Sequence, residues 1–215
     1  MHSALRLVGP LATAVALLGL VASPAQAATV LTSGHVDVVD VDYADGALSV
    51  NVLDGTGSTS VERPPGDVTF RVPLAAKHTN VPATPAWSFL GTGGTAWILP
   101  QSQASGLLWA GWNTTEVPSG VFRNNRVSFR LTDVSGPAGF SVYTAAGSTP
   151  TVLFDSGDGL PDTLDVNAGA HTHANWGFDA PGTYTVTFDV TGVLSSTGAT
   201  VSSGPKQFTF EVLDS

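Results

Sequence analysis

Apolar and polar residues alternate in short runs along most of the chain, and residues that favour turns separate these runs. The clearest run follows Pro181-Gly182, where apolar residues occupy every second position from Tyr184 to Val190. This period of two places apolar side chains on one face of a β-strand. Helical periodicity is nearly absent. The pattern predicts an all-β protein, an immunoglobulin-like or jelly-roll-like β-sandwich.

Ten strands are predicted from these runs. Asp45-Gly46 is a hairpin signal between the first two strands, because glycine tolerates the positive φ of tight turns. Tyr184 follows a turn, a position from which a tyrosine hydroxyl often ties the corner of a sandwich. The segments 56–66 and 194–205 are expected to be loops. The predicted strands are His35–Tyr43, Ala47–Leu53, Val68–Val72, Ala96–Leu99, Val127–Val134, Phe140–Thr144, Thr151–Ser156, His171–Phe178, Gly182–Val190 and Lys206–Leu213.

The middle of the chain, from Trp87 to Trp112, carries four tryptophans among many Gly, Ser and Thr residues. Strand signals are weaker here, so we expect long ordered loops or an insertion packed on the sandwich. Aromatic faces stack on apolar ligand surfaces, and this section is a candidate platform for a sugar or a peptide. The alternative is that these tryptophans belong to the core.

The N-terminal segment 1–27 has the features of a secretory signal peptide. A weakly basic start precedes an apolar run from Leu7 to Val21, and Ala25-Gln26-Ala27 fits the small-x-small cleavage rule. The run is too short and interrupted for a good membrane span. We expect a single domain over 28–215, secreted or at the extracytoplasmic cell surface, with no transmembrane segment in the mature chain.

Composition limits the chemistry that this chain offers. It has no cysteine, which excludes thiolate metal sites and cysteine nucleophiles. Its net charge of −9 argues against nucleic acid as a partner, because binding to phosphates needs clustered Lys and Arg. An acidic surface instead attracts cations.

The sequence His171-Thr172-His173 places two imidazoles on the same face of a predicted strand. A second pair, His35-Val36-Asp37, lies near the other end of the domain and has the same spacing. Imidazole is a good ligand for Zn²⁺, Mn²⁺, Cu²⁺ or Fe²⁺. We expect His35, His171 and His173 to bind the ion, with Asp37 as a fourth ligand or as a residue that orients an imidazole. His78 is a weaker candidate.

Other sequence features indicate less. The Asp-rich segments 40–46 and 155–159 could offer oxygen ligands to Ca²⁺, but neither fits the twelve-residue calcium loop, and Asp is common in turns. The chain lacks a Gly-x-Ser-x-Gly elbow and a His-Glu-x-x-His helix, and Glu appears only at positions 62, 116 and 211. We therefore expect a protein that is not an enzyme.

Several segments together resemble one family, the actinobacterial surface-anchored protein domain, also called the choice-of-anchor M domain. The resemblance covers most of the chain after the predicted signal peptide and lies in the segments 31–38, 88–91, 97–103, 106–112, 136–143, 171–178 and 181–184. It implies an exported protein tethered to the cell wall or membrane. Some members occur beside ABC transporters that look like metal-uptake systems. The family's histidine-bearing motifs match here at His35, Asp37, His171 and His173. No anchor segment is recognised at the C-terminus, so we expect release or retention by a partner.

The leading hypothesis is an exported domain that binds a transition metal, with Zn²⁺ as the expected ion, and that serves a metal-uptake ABC transporter. The alternative is a non-catalytic surface module without metal that binds cell-wall polysaccharide or protein through the Trp-rich section. A third interpretation is that the histidines only stabilise the sandwich. The hypotheses differ in one geometric requirement: metal binding needs His35 to meet the strand of His171.

Overall fold

The computed structural model describes residues 27–91 and 94–215. The predicted signal peptide, 1–27, therefore lies outside the described residues except for Ala27. Nowhere in these two described ranges is there a helix with the length and apolar character needed to cross a membrane.

The described residues form strands joined by short turns and 3₁₀-helices. The strands are β1 (Thr29–Leu31), β2 (Gly34–Ala44), β3 (Ala47–Gly55), β4 (Val61–Arg63), β5 (Val68–Val72), β6 (Lys77–His78), β7 (Ala96–Leu99), β8 (Leu108–Glu116), β9 (Arg126–Ser135), β10 (Phe140–Ala146), β11 (Thr149–Asp155), β12 (Asp162–Asn167), β13 (His171–His173), β14 (Asn175–Phe178), β15 (Gly182–Val193), β16 (Thr200–Ser202) and β17 (Lys206–Val212). The 3₁₀-helices are Pro65–Asp67, Leu74–Ala76, Pro85–Leu90 and Arg123–Asn125.

The strands form three sheets. One sheet has the order β1-β5-β17-β15-β9-β12, with β16 paired to β15. The second has the order β11-β10-β14-β7-β6, and the third has the order β13-β8-β2-β3-β4. This arrangement confirms the predicted all-β sandwich. Three strand pairs are parallel, namely β1 with β5, β5 with β17 and β2 with β8, which the sequence pattern did not predict.

Aromatic side chains connect the seven-stranded sheet to both of the other sheets. Phe210 of β17 lies 5.8 Å from Trp176 and 5.2 Å from Phe178 of β14, measured between ring centroids. The ring centroids of Phe129 of β9 and Trp112 of β8 are 6.5 Å apart. All five side chains are at least 95% buried. The two smaller sheets therefore share one hydrophobic layer against the larger sheet.

The two smaller sheets are also connected covalently at Ala174. The sequence predicted one strand over 171–178, but the structure divides it into β13 and β14, which pair in different sheets. Ala174, fully buried between them, marks the point where the chain passes from one sheet to the other. This transfer places the histidine motif on the third sheet and Trp176 on the second.

Nine of the ten predicted strands are present, with boundaries that differ by a few residues, and the tenth, 171–178, is divided between two sheets. The strands β1, β4, β6, β8, β12 and β16 were not predicted. The hairpin predicted at Asp45-Gly46 is confirmed, and both residues have positive φ, 52° and 83°. The corner predicted at Tyr184 is confirmed as well, because its hydroxyl donates to the carbonyl oxygen of Ala180 at 2.9 Å. The period of two was sufficient for these features because each strand has one buried face.

The expectation of loops or an insertion in the Trp-rich section was wrong for part of its length. Residues 108–116 form β8, an interior strand of the third sheet. Strand β8 pairs on both sides, with β2 and β13, and these ladders stabilise a strand whose own alternation is weak. The loops expected at 56–66 and 194–205 likewise contain the short strands β4 and β16.

Candidate metal centre

The histidine motifs lie on two strands that flank β8. His35 and Asp37 belong to β2, and His171 and His173 belong to β13. Side chains alternate along each strand, so each pair projects from one face of the sheet. Val36, between the first two, is fully buried in the main core. The four candidate ligands therefore lie on the face directed away from that core.

Gly111 of β8 makes room for side chains from both flanking strands. Its register partners are Asp37 on one side and His173 on the other. A Cβ atom at position 111 would lie 2.7 Å from Nδ1 of His173 and 2.5 Å from the carbonyl oxygen of Thr172. The absence of a side chain here lets groups from β2 and β13 approach each other over β8.

A second glycine accommodates the ring of His35. Gly55 of β3 is the register partner of His35, and a Cβ atom there would lie 2.5 Å from Nδ1 of that imidazole. The ring therefore occupies the space above Gly55, with its Nε2 free to meet the neighbouring ligands. Both glycines were missed by the sequence analysis, although each lies within a β-strand, where glycine often marks a close approach.

The donor atoms of all four residues, one from each, lie within 4.8 Å of one another. Nε2 of His35 is 3.2 Å from Nε2 of His171, which in turn is 3.0 Å from Oδ1 of Asp37. Nε2 of His35 is 3.6 Å from Oδ2 of Asp37. Ligand atoms around a tetrahedral Zn²⁺ are about 3.3 Å apart, given bonds of about 2.0–2.1 Å. The spacing of these three residues therefore fits one bound ion, and His173 completes the set at a longer distance.

Several polar atoms of this cluster are buried and have no partner among residues 27–91 and 94–215. They are Oδ2 of Asp37 and both ring nitrogens of His173. A buried polar atom without a hydrogen bond costs about 1–3 kcal/mol. A cation between the rings and the carboxylate would satisfy Asp37 and one nitrogen of His173. The donor set thus fits a metal ion on an observation independent of the distances.

Burial increases from one edge of the cluster to its base. The side chain of His171 is 44% exposed, that of His35 is 24% exposed, and that of Asp37 is only 1% exposed. Burial raises the pKa of Asp37, and the adjacent His171 opposes this shift. Burial lowers the pKa of His173 to about 4. His173 is therefore neutral at physiological pH, the state in which imidazole binds metals.

Trp109 of β8 holds the ring of His173 in place. The two rings stack with centroids 3.8 Å apart and planes inclined by 13°. The indole also meets His35 edge-on at 5.6 Å, and its Nε1 donates to the carbonyl oxygen of Gln101 at 2.8 Å. Trp109 therefore fixes one imidazole and covers one side of the cluster. Trp109 belongs to the section that was a candidate ligand platform, with the core as the alternative, and its contact with the histidines was not predicted.

Acidic residues extend the face beyond the cluster. Asp40 is 5% exposed and accepts a hydrogen bond at 2.8 Å from Asn113, the register partner of His171. Burial raises the pKa of Asp40 to about 6, and the nearby carboxylates of Glu116 and Asp37 add to the shift. These carboxylates create a negative potential that concentrates cations near the cluster.

The remaining sequence candidates lie elsewhere. His78 is exposed on β6 and is not a member of the cluster. Asp155 accepts a hydrogen bond from the backbone N–H of Gly157 at 2.8 Å, the turn role that its sequence context favours. Trp97 and Trp112 belong to the main core, as the alternative to a ligand platform predicts.

Comparisons with protein-family models, with curated proteins and with solved structures return no match for this chain.

Proposed function

We propose that this protein is an exported, non-catalytic β-domain that binds a transition metal ion through His35, His171, His173 and Asp37. The observation that carries the proposal is the convergence of these four donors from two strands that are not neighbours. Their positions in the sequence are 134 or more residues apart between the two motifs. A structural role for the histidines without a metal ion does not require such a meeting, and a metal site does.

Zn²⁺ is the ion that we expect to bind best. Three imidazoles and one carboxylate, without thiolates, form a donor set that Zn²⁺ uses in tetrahedral sites. Mn²⁺ and Cu²⁺ accept the same donors, so the choice between them rests on geometry and must be measured. The nitrogen–nitrogen spacing of 3.2 Å between His35 and His171 supports a tetrahedral ion.

The gradient of exposure supports a role in metal capture and delivery. An ion held by the buried Asp37 would still be reached from solvent past His171, which is 44% exposed. Exchange with a partner requires a ligand that an incoming donor group can reach from solvent, and His171 is that ligand here. The resemblance to the choice-of-anchor M domain and the predicted signal peptide support a location outside the cell. We accordingly propose that the recipient of the metal is a metal-uptake ABC transporter.

Calorimetric titration of the purified protein with Zn²⁺, Mn²⁺ and Cu²⁺ tests metal binding. We expect one ion per chain and strong loss of affinity in the double variant His171→Ala/His173→Ala. His78→Ala is the matched control, because it removes an exposed imidazole outside the cluster and should leave the titration unchanged. Heat signals that survive the double variant, or that are lost in the control, would contradict the proposal.

A second measurement distinguishes a purely structural metal site from a site that delivers its metal to a partner. If the metal ion only stabilises the sandwich, its removal by a chelator would lower the melting temperature. The ion would then not be transferred to an acceptor. For a delivery site, we expect transfer of Zn²⁺ to a chromogenic chelator within seconds to minutes. Retention of Zn²⁺ over hours would favour a purely structural metal site.

A further inference from the structure

The strand β13, which carries two of the four candidate ligands, has little support within its own sheet. It is three residues long and lies at the end of the third sheet. Among the strands in the described parts of the chain, it pairs with β8 alone. The chain also changes sheets on both sides of β13, because β12 belongs to the seven-stranded sheet and β14 to the second sheet. Elements with few ladder hydrogen bonds open locally, so the place of β13 depends on what fixes its ends.

Thr114 of β8 fixes the end at which the chain enters β13. Its hydroxyl donates a hydrogen bond to the carbonyl oxygen of Asn167 at 2.7 Å and accepts one from the backbone N–H of Ala170 at 2.9 Å. Its own N–H donates to the carbonyl oxygen of Ala170 at 2.8 Å, and its carbonyl oxygen accepts from the N–H of Gly169 at 2.9 Å. Four hydrogen bonds from one residue therefore fix the turn 167–170, and His171 follows that turn directly.

The side chain of Thr114 lies on the other face of β8 from the metal centre. Thr114 is 0% exposed, and it is two residues from Trp112, which belongs to the main core. Side chains alternate along a strand, so Thr114 shares the face of Trp112 and not that of Gly111. The hydroxyl therefore affects the candidate ligands through the backbone of β13, without contact with a bound ion.

The ligand geometry is sensitive to the position of this backbone. Nε2 of His171 is 3.0 Å from Oδ1 of Asp37 and 3.2 Å from Nε2 of His35, and both of these partners belong to β2. A displacement of β13 from β8 would lengthen both distances at once. Groups outside the ligand set that orient metal ligands change metal affinity by about 10–100-fold when they are removed.

We propose that the hydroxyl of Thr114 is a positioning group of the metal centre: it fixes the turn 167–170, and thereby sets the distance of His171 and His173 from the ligands on β2. This inference rests on the metal binding proposed above. It assigns to a buried threonine, remote from the ion, a part of the affinity that the four ligands alone would not provide.

Zn²⁺ affinity, measured in competition with a chromogenic chelator, tests the inference on two variants of Thr114. Thr114→Val keeps the shape of the side chain and leaves the N–H of Ala170 and the carbonyl oxygen of Asn167 without this partner. We expect it to bind Zn²⁺ at least about tenfold more weakly than the unaltered protein. Thr114→Ser keeps the hydroxyl and should bind within about twofold of the unaltered protein.

Tyr184→Phe is the matched control, because the hydroxyl of Tyr184 also accepts from one N–H and donates to one carbonyl oxygen. Both of these groups belong to Ala180, at 3.2 Å and 2.9 Å, and Tyr184 lies on β15 of the seven-stranded sheet. Thr114→Val and Tyr184→Phe should each lower the melting temperature of the metal-free protein by about 2–4 °C. Only Thr114→Val should weaken Zn²⁺ binding, measured at a temperature well below both transitions.

Hydrogen–deuterium exchange of the metal-free protein measures the position of β13 without the ion. Peptides that cover residues 167–174 should exchange faster in Thr114→Val and at an unchanged rate in Tyr184→Phe. Unaltered Zn²⁺ affinity in Thr114→Val, an equal loss in Tyr184→Phe, a Thr114→Ser variant as weak as Thr114→Val, or unchanged exchange would each overturn this inference alone. Absence of Zn²⁺ binding by the unaltered protein would refute the proposed function and this inference with it.

Discussion

Asp37 and His173 lie on strands that do not pair with each other, yet both are in register with Gly111 of the strand between them. Neighbouring strands are about 4.8 Å apart, so the two backbones are separated by roughly twice that distance. Side chains of this length meet only if nothing occupies the space above β8. The missing side chain at Gly111 is therefore a condition for the two ligands to meet in the candidate metal centre.

Gly111→Ala tests this dependence. The added Cβ would collide with His173 and with the carbonyl oxygen of Thr172, so β13 must shift away from β8. We expect a loss of about 1–3 kcal/mol in the free energy of unfolding and at least a tenfold loss of metal affinity. Urea unfolding in the presence of chelator and Zn²⁺ titration measure the two effects separately.

Gly66→Ala is the matched control, because a Cβ there meets nothing within 4 Å. It should change neither quantity beyond about 0.5 kcal/mol. A Gly111→Ala protein that binds Zn²⁺ like the unaltered one would show that the ligands do not meet over β8.

Asp37→Asn separates metal binding from stability. The carboxylate is buried beside His171 and has one oxygen without a partner, so a neutral side chain of the same shape should cost the metal-free protein less than about 1 kcal/mol. Zn²⁺ affinity should fall about tenfold or more, because the anionic ligand is lost. Denaturation with chelator and calorimetric titration provide the two measurements.

Asp54→Asn is an informative comparison, since Asp54 is likewise buried, at 5% exposed, but pairs with Arg63 at 2.8 Å. This change should lower stability and leave Zn²⁺ affinity unaltered. Equal losses of metal affinity in the two variants would argue against a specific role for Asp37.

Metal affinity should depend on pH. A ligating imidazole must be neutral, so protons compete with the ion as the pH falls below about 6. Burial holds the pKa of His173 near 4, so His173 itself remains neutral through this range. We expect Zn²⁺ affinity to fall at least about tenfold between pH 7.5 and pH 5.5. Affinity that does not change with pH would indicate that carboxylates, rather than histidines, bind the ion.

Asp179 should make the protein less stable as the pH rises. Burial, with a contribution from the nearby Asp155, raises its pKa from 3.8 to about 7, and its Oδ1 has no partner among the described residues. The folded state therefore binds more protons than the unfolded state between about pH 4 and pH 7. This contribution to stability is complete below pH 4 and is lost as the pH rises through 7.

Asp179→Asn should accordingly stabilise the protein by about 1 kcal/mol at pH 7.5 and have little effect at pH 4. Thermal unfolding across this pH range measures the difference. The exposed Asp67→Asn is the control and should leave the pH profile unchanged. A profile for Asp179→Asn that runs parallel to that of the unaltered protein would refute the assignment.

The sequence was sufficient for most of the long alternating strands and for the identity of the candidate ligands, because both depend on a period of two. It was not sufficient for β8 or for short strands such as β4 and β16. His35 and Asp37, like His171 and His173, share a face whatever the topology. The meeting of the two motifs depends on strand order, and β8, which lies between them, had too weak an alternation to be recognised.

The same limit explains what was missed around the ligands. Gly111 and Gly55 look like ordinary glycines until their register partners are known, and Trp109 acquires its role only by stacking on His173. A glycine inside an otherwise alternating run is a signal of close approach, but the sequence does not say what approaches.

Anomalous X-ray diffraction from crystals of the Zn²⁺-loaded protein tests the central claim most directly. We expect one strong zinc peak per chain over Gly111, about 2.0–2.2 Å from nitrogens of His35, His171 and His173 and from an oxygen of Asp37. A zinc peak bound elsewhere, or a cluster without zinc in crystals that contain it at saturating concentration, would contradict the account.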